Sequence, residues 1–206
     1  MSRQSDRIRR LTTDALLISL ALVLSIAERW IPLELLIPVP GIKLGLANIV
    51  TLVAVLCLYP IDAIALVTVR SLILGLISGL TTFLFSLSGG LLALMVMWLA
   101  GKLYDRVFSV IGISLVGAAA HNIGQIFVAG FILREPLLMT TYLPVLLLTS
   151  LVTGTLTGVA ALPVIRWFTR SNQMKAIMKP VNPTSSGSRP DPLETKHPAQ
   201  HNGSDV

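Results

Sequence analysis

Charge is scarce in this chain. Only 13% of its 206 residues are Asp, Glu, Lys or Arg, against 53% hydrophobic residues and a mean hydropathy of +0.79. A soluble domain carries about a quarter charged residues, and its helices set a polar face against an apolar one. Long runs that are apolar all round exclude that class and leave an all-α integral membrane protein. Cysteine is nearly absent too: the single Cys57 lies inside an apolar run, which excludes a disulfide framework and a cysteine-rich metal site. No G-x-x-x-x-G-K-[ST] segment occurs, so ATP hydrolysis through a phosphate loop is excluded. The Asp residues (Asp6, Asp14, Asp62, Asp105, Asp191, Asp205) are scattered, with no pair to hold Mg²⁺ against a diphosphate. G-x-S-x-G, H-E-x-x-H and C-x-x-C are missing as well. The chain reads as a non-enzyme without cofactor or metal.

The formal charge of +6 would suit nucleic acid, but its distribution does not. Arg3, Arg7, Arg9, Arg10, Arg166, Arg170, Lys175, Lys179, Arg189 and Lys196 all lie before Leu11 or after Pro163, which fits cytoplasmic anchoring and no nucleic-acid partner. The basic N-terminus followed by apolar residues and Ser25-Ile26-Ala27 resembles a secretory signal. More hydrophobic segments follow, so the first is read as a retained helix.

Hydropathy and breaker residues predict six spans in a domain over 11–168, behind a basic cytoplasmic segment 1–10. The first is expected at Leu11 to Trp30, with Thr13 as N-cap and Asp14 in the first turn, and is stopped by Pro32, Pro38, Pro40 and Gly41. The second is placed at Leu44 to Tyr59 and the third at Ile61 to Gly79, with Pro60 and Asp62 marking a tight hairpin. Thr81, Thr82, Ser86, Ser88, Gly89 and Gly90 loosen the pattern before a fourth at Leu87 to Leu103. A fifth covers Ile113 to Leu133 and a sixth Pro144 to Phe168. With both termini in the cytoplasm of a prokaryotic plasma membrane, the inner segments also hold Lys102 and Arg106, and the outer ones only Arg29, Lys43 and Arg134. From 171 to 206, Pro, Ser, Asn and Gly with mixed charges predict a disordered cytoplasmic tail. His197 and His201 there are separated by Pro198, which removes the helix a metal pair would need.

Arg70 stands alone as a charge between Ala63 and Gly101. A guanidinium in mid-span costs about 2.5 to 3.5 kcal/mol on insertion scales, so it is expected to face a partner or a cavity. Helix five adds His121, Asn122 and Gln125, and helix two adds Asn48 and Thr51. The four-residue spacing puts His121 and Gln125 on one face, with Asn122 about 100 degrees away. Interhelical hydrogen bonding alone would explain single members of this set. The cluster with Arg70 points instead to a polar ligand site, provided that helix five packs beside helix three. Small residues recur every four positions at Ser71, Gly75 and Gly79 and at Ser150, Gly154 and Gly158, as in closely packed helix pairs.

Four segments carry a resemblance: Pro38-Val-Pro-Gly-Ile-Lys-Leu-Gly-Leu-Ala-Asn48, Val69-Arg70-Ser-Leu-Ile-Leu-Gly75, Ser86-Leu-Ser-Gly-Gly90 and Gly117-Ala-Ala-Ala-His-Asn-Ile-Gly-Gln125. Over roughly Leu11 to Phe168 the chain resembles the Gx transporter family, also called heptaprenyl diphosphate synthase component I. That family is grouped with the substrate-binding S components of energy-coupling factor transporters. The resemblance implies a six-helix S-component-like bundle that binds a small vitamin-like or cofactor-precursor ligand from outside. It also implies a transmembrane coupling subunit and cytoplasmic ATPases as partners. The loop after helix one commonly closes over the ligand in such subunits, which makes Lys43 a lid candidate or, alternatively, an interfacial cation. The family's other name offers a second reading, a non-catalytic accessory of heptaprenyl diphosphate synthesis. A membrane scaffold without ligand is the third.

Overall fold

A computed structural model describes residues 3–30, 45–104, 107–135 and 137–170. The expectations for Pro32, Pro38, Pro40, Gly41, Lys43 and the tail from 171 onward lie outside the described residues. What is described is helical, because a chain in hydrocarbon has to satisfy each backbone N–H and C=O within its own segment. The helices are α1 (Arg3–Arg29), α2 (Leu46–Cys57), α3 (Pro60–Ser78), α4 (Leu80–Gly101), α5 (Val110–Leu133) and α6 (Leu137–Arg170). Five are long and apolar enough to cross a membrane, and α2 is a shorter apolar helix of 12 residues. The protein is an all-α, multi-pass membrane bundle.

Several boundaries depart from those predicted. Thr13 caps nothing: α1 already starts at Arg3, and the Thr13 hydroxyl donates to the Arg9 carbonyl one turn back. Asp14 therefore sits inside the helix. The fourth helix begins at Leu80 rather than Leu87, because Gly79 alone, at φ +93, makes the turn out of α3. The segment read as loose is helical, with Thr82 donating to the Ser78 carbonyl and Ser88 to that of Phe85. The sixth helix starts at Leu137 and contains Pro144 and Pro163. Pro60 does open α3 in the first turn as expected, with Asp62 behind it.

The short α2 is the hub, packing against all five other helices. Around it α1 lies on α3, α3 on α4, α4 on α5 and α5 on α6, which returns to α2. Ala47, Asn48, Val50, Thr51, Leu52, Val53, Ala54, Val55 and Cys57 of α2 are accordingly buried. By contrast α1 buries a narrow stripe, Thr13, Leu17, Ala21 and Glu28, spaced by whole turns. Its Leu11, Leu16, Leu20 and Val23 are exposed and face the lipid.

Two polar clamps hold α1 parallel to α3. At one end Arg10 Nε lies 3.1 and 3.0 Å from the two Asp62 oxygens and its Nη2 lies 2.5 Å from Oδ1, while its guanidinium sits over the Tyr59 ring. At the other end the Arg29 guanidinium donates to the Ser78 hydroxyl. The small-residue stripes serve packing. A methyl built on Gly154 would stand 2.8 Å from Cα of Leu115, and one on Gly158 2.9 Å from Cα of Ile111, so α5 and α6 meet backbone to backbone. Gly75 is pressed on the Phe83 side chain, whose Cβ would stand 2.6 Å from an added methyl, but Gly79 belongs to the turn and meets nothing within 4 Å.

Candidate functional site

Arg70 lies on the buried stripe of α3, which runs Asp62, Ala63, Leu66, Val67, Arg70, Ser71 and Leu74. It is about 15 Å along the helix from Pro60 and only 2% exposed. Its Nε and Nη1 have no hydrogen-bond partner among the described residues. Those atoms carry one and two of the guanidinium's five N–H groups. One turn of α4 before Gly90, the Ser86 hydroxyl pairs with that of Ser71 at 2.9 Å.

The guanidinium fits here because α4 has no side chain opposite it. A methyl on Gly90 would stand 3.3 Å from Arg70 Nη2 and 2.7 Å from Cγ1 of Val67. The preceding glycine serves the other neighbour. A methyl on Gly89 would stand 2.9 Å from the His121 carbonyl oxygen, 2.9 Å from Cγ of Gln125 and 3.0 Å from Cε1 of His121. One on Gly124 of α5 would reach the Ser88 carbonyl at 2.8 Å. The pair Gly89-Gly90 thus brings α3 and α5 against two sides of α4 at one level.

The polar residues singled out in the sequence are therefore distributed. His121 and Gln125 share a face, as their spacing predicted, and that face meets α4. Helix five does not pack beside helix three among the described residues; α4 stands between them, because its glycines make it the thin member of the trio. Asn122 points the other way and donates to the Leu146 carbonyl of α6 at 2.9 Å. Asn48, 4% exposed, belongs to the first turn of α2, where a methyl on Gly45 would stand 3.2 Å from its Nδ2 and 3.9 Å from the Thr157 methyl. Thr157 in turn pairs with the Ser114 hydroxyl at 2.7 Å. Thr51 donates back to the Ala47 carbonyl. Lys43 lies outside the described residues. A shallow concavity lined by Leu133, Glu135, Leu137, Thr141 and Tyr142 at the α5–α6 turn includes none of these groups.

Glu28 was missed. It is 8% exposed, its carboxylate accepts the Gly45 N–H at 2.5 Å, and among the described residues its charge acts on Arg70. It stands beside Arg29 and Trp30, at the predicted end of the first span. The signal was available: a carboxylate in the last turn of a helix opposes the helix dipole and therefore needs a local reason to be there.

The family model described as heptaprenyl diphosphate synthase component I matches residues 17–163, from the middle of α1 to Pro163 of α6. The chain belongs to this family. No curated protein and no solved structure matches it. Within this component I chain the matched region holds Glu28, Gly45, Asn48, Arg70, the Gly89-Gly90 pair and the α5 polar face. Groups of three or more His, Cys, Asp or Glu able to hold a metal do not occur among the described residues.

Proposed function

We propose that this protein is the membrane-embedded binding component of a small-molecule uptake system, with Arg70 receiving an anionic group of the ligand. One observation carries the reading: a guanidinium in mid-bundle with three N–H groups unmade. A buried donor without an acceptor costs about 1 to 3 kcal/mol, and more on a charged group, so the arrangement is sustained by something gained when an acceptor arrives. Burial also gives the contact strength, since a charge pair in a medium of low dielectric is not screened by water. Glycine at position 90 supplies the room in which the guanidinium lies.

The chain has no phosphate loop, so energy for uptake comes from partners: a transmembrane coupling subunit and cytoplasmic ATPases, as in energy-coupling factor transporters. The cations gather where such partners would dock. Arg7, Arg9 and Arg10 start α1, Lys102 follows α4, and Arg166 and Arg170 end α6, all at the Asp62 end of the bundle. That end is assigned to the cytoplasm by the positive-inside rule, with the Ser78 end outward in a prokaryotic plasma membrane.

The family's name favours one other reading, an accessory of heptaprenyl diphosphate synthesis that holds an allylic diphosphate for a separate catalytic subunit. Mass spectrometry of the chain purified in nanodiscs separates the two. A water-soluble metabolite retained by the wild type and lost in Arg70→Ala supports the uptake reading. A retained prenyl diphosphate, or prenyl transfer by the isolated chain with Mg²⁺, overturns it.

A further inference from the structure

With 34 residues α6 is about 50 Å long, more than the roughly 40 to 45 Å of a bilayer with its headgroups, so its last turns reach headgroup level at the Asp62 end. Arg166 is the first charged residue of α6, and Arg170 follows one turn later; both are exposed. Phe168 between them is 5% exposed and packs in the core. It lies about 180 degrees around the helix from their midpoint, so its burial turns both arginines outward. Trp167, 58% exposed, is set beside them by a T-shaped contact of its ring with that of Phe168 at 5.4 Å. The same face continues into the hydrocarbon: Val152, Leu156, Val159 and Pro163 are exposed and fall within about 80 degrees of Arg166 around α6. Two other cations at this end of the bundle are compensated, Arg10 by Asp62 and Tyr59, and Lys102 by the Trp98 ring 3.9 Å from its Nζ. Arg166 and Arg170 have no ion pair and no ring contact of that kind among the described residues.

We infer that this face of α6 binds an anionic phospholipid of the cytoplasmic leaflet, with the phosphodiester on Arg166 and Arg170 and an acyl chain along Val159, Leu156 and Val152. Charge complementarity sets the headgroup class. Two uncompensated guanidiniums attract a headgroup of net negative charge, and their planar N–H forks match phosphate oxygens. A zwitterionic headgroup brings a cation of its own toward the pair. The apolar stripe sets the source: it runs on from the arginines on the same face, where a lipid chain covers it and a free phosphate does not. Trp167 stands at the depth where interfacial indoles concentrate. The arginine pair lies outside the matched residues 17–163, and the inference does not depend on the reading of Arg70.

The test uses the full chain in nanodiscs made of equal parts phosphatidylglycerol and phosphatidylcholine, with the lipids that stay on the protein counted by native mass spectrometry. The wild type is expected to retain phosphatidylglycerol over phosphatidylcholine by about tenfold or more. The double variant Arg166→Gln, Arg170→Gln is expected to lose that preference. Arg7→Gln with Arg9→Gln removes the same charge from the same end of the bundle and is expected to keep it. An equal loss in the two double variants means diffuse attraction to the leaflet and overturns a site on α6. Equal retention of both lipids by the wild type, or a preference that survives in the α6 double variant, overturns it too. Displacement of the retained lipid by inorganic phosphate overturns lipid as the occupant. The melting temperature verifies the fold of each variant. Should the α6 double variant fail to fold, Arg170→Gln alone decides: a partial loss is expected, and no loss overturns the site.

Discussion

Gly90 and Arg70 meet across the α3–α4 contact with no room for a methyl group between Gly90, Val67 and the guanidinium. Gly90→Ala is therefore expected to push Arg70 from its place and to lower ligand retention. Overpacking of this kind costs about 1 to 3 kcal/mol of stability. Gly101→Ala is the control, since its nearest neighbours would be 3.8 Å away. Reversible unfolding in mixed micelles and ligand retention together give the answer, and equal behaviour of the two variants would contradict the assignment.

Arg70→Met should uncouple stability from function. Methionine fills much of the same volume without unmade N–H groups, so the bundle is expected to gain about 1 to 3 kcal/mol. The bound ligand is lost in the same variant. A fall in stability would mean that Arg70 is satisfied internally, and the site would have to be sought elsewhere.

The Arg10–Asp62 clamp is half open to its surroundings, with the Asp62 side chain 7% and the Arg10 side chain 36% exposed. A double-mutant cycle with Arg10→Ala and Asp62→Ala is expected to give a coupling energy of about 1 kcal/mol. Additivity of the two substitutions would remove the clamp from the account of how α1 is held.

On α5, Asn122→Ala breaks the bond to the Leu146 carbonyl and should cost about 0.6 to 1.7 kcal/mol, the range for interhelical hydrogen bonds in membranes. Ligand binding is expected to persist, because Asn122 faces α6 rather than Arg70. Gly124→Ala is the harsher change: its methyl would press on the Ser88 carbonyl and on Gly89 Cα, neither of which can swing aside. Misfolding of Asn122→Ala but not of Gly124→Ala would reverse this order.

The membrane class, the helix count and the exceptional status of Arg70 were legible because they depend on composition and on the cost of charge in hydrocarbon. The start of α4 was not. Hydroxyls and glycines that mark loops in water serve in lipid to bond the preceding turn, as Thr82 does, or to admit a neighbouring backbone, as Gly89 does. Spacing put His121 and Gln125 on one face correctly. It could not say that the face would meet α4, since the order of helices around α2 is a tertiary fact. Glu28 escaped for a related reason: its partner, the Gly45 N–H, lies 17 positions away and becomes a partner only when α1 and α2 pack.

At about 18 Å, α2 falls well short of the roughly 30 Å of hydrocarbon that a spanning helix has to cross. It is also walled in by protein rather than lipid. Such a segment has no stable state of its own in a bilayer before its neighbours are present. During biosynthesis α2 must enter together with α3 through their shared hairpin and be received by helices made later, α6 among them. Damage to α2 should therefore surface as failed insertion and degradation of the nascent chain, rather than as a folded protein with weakened binding.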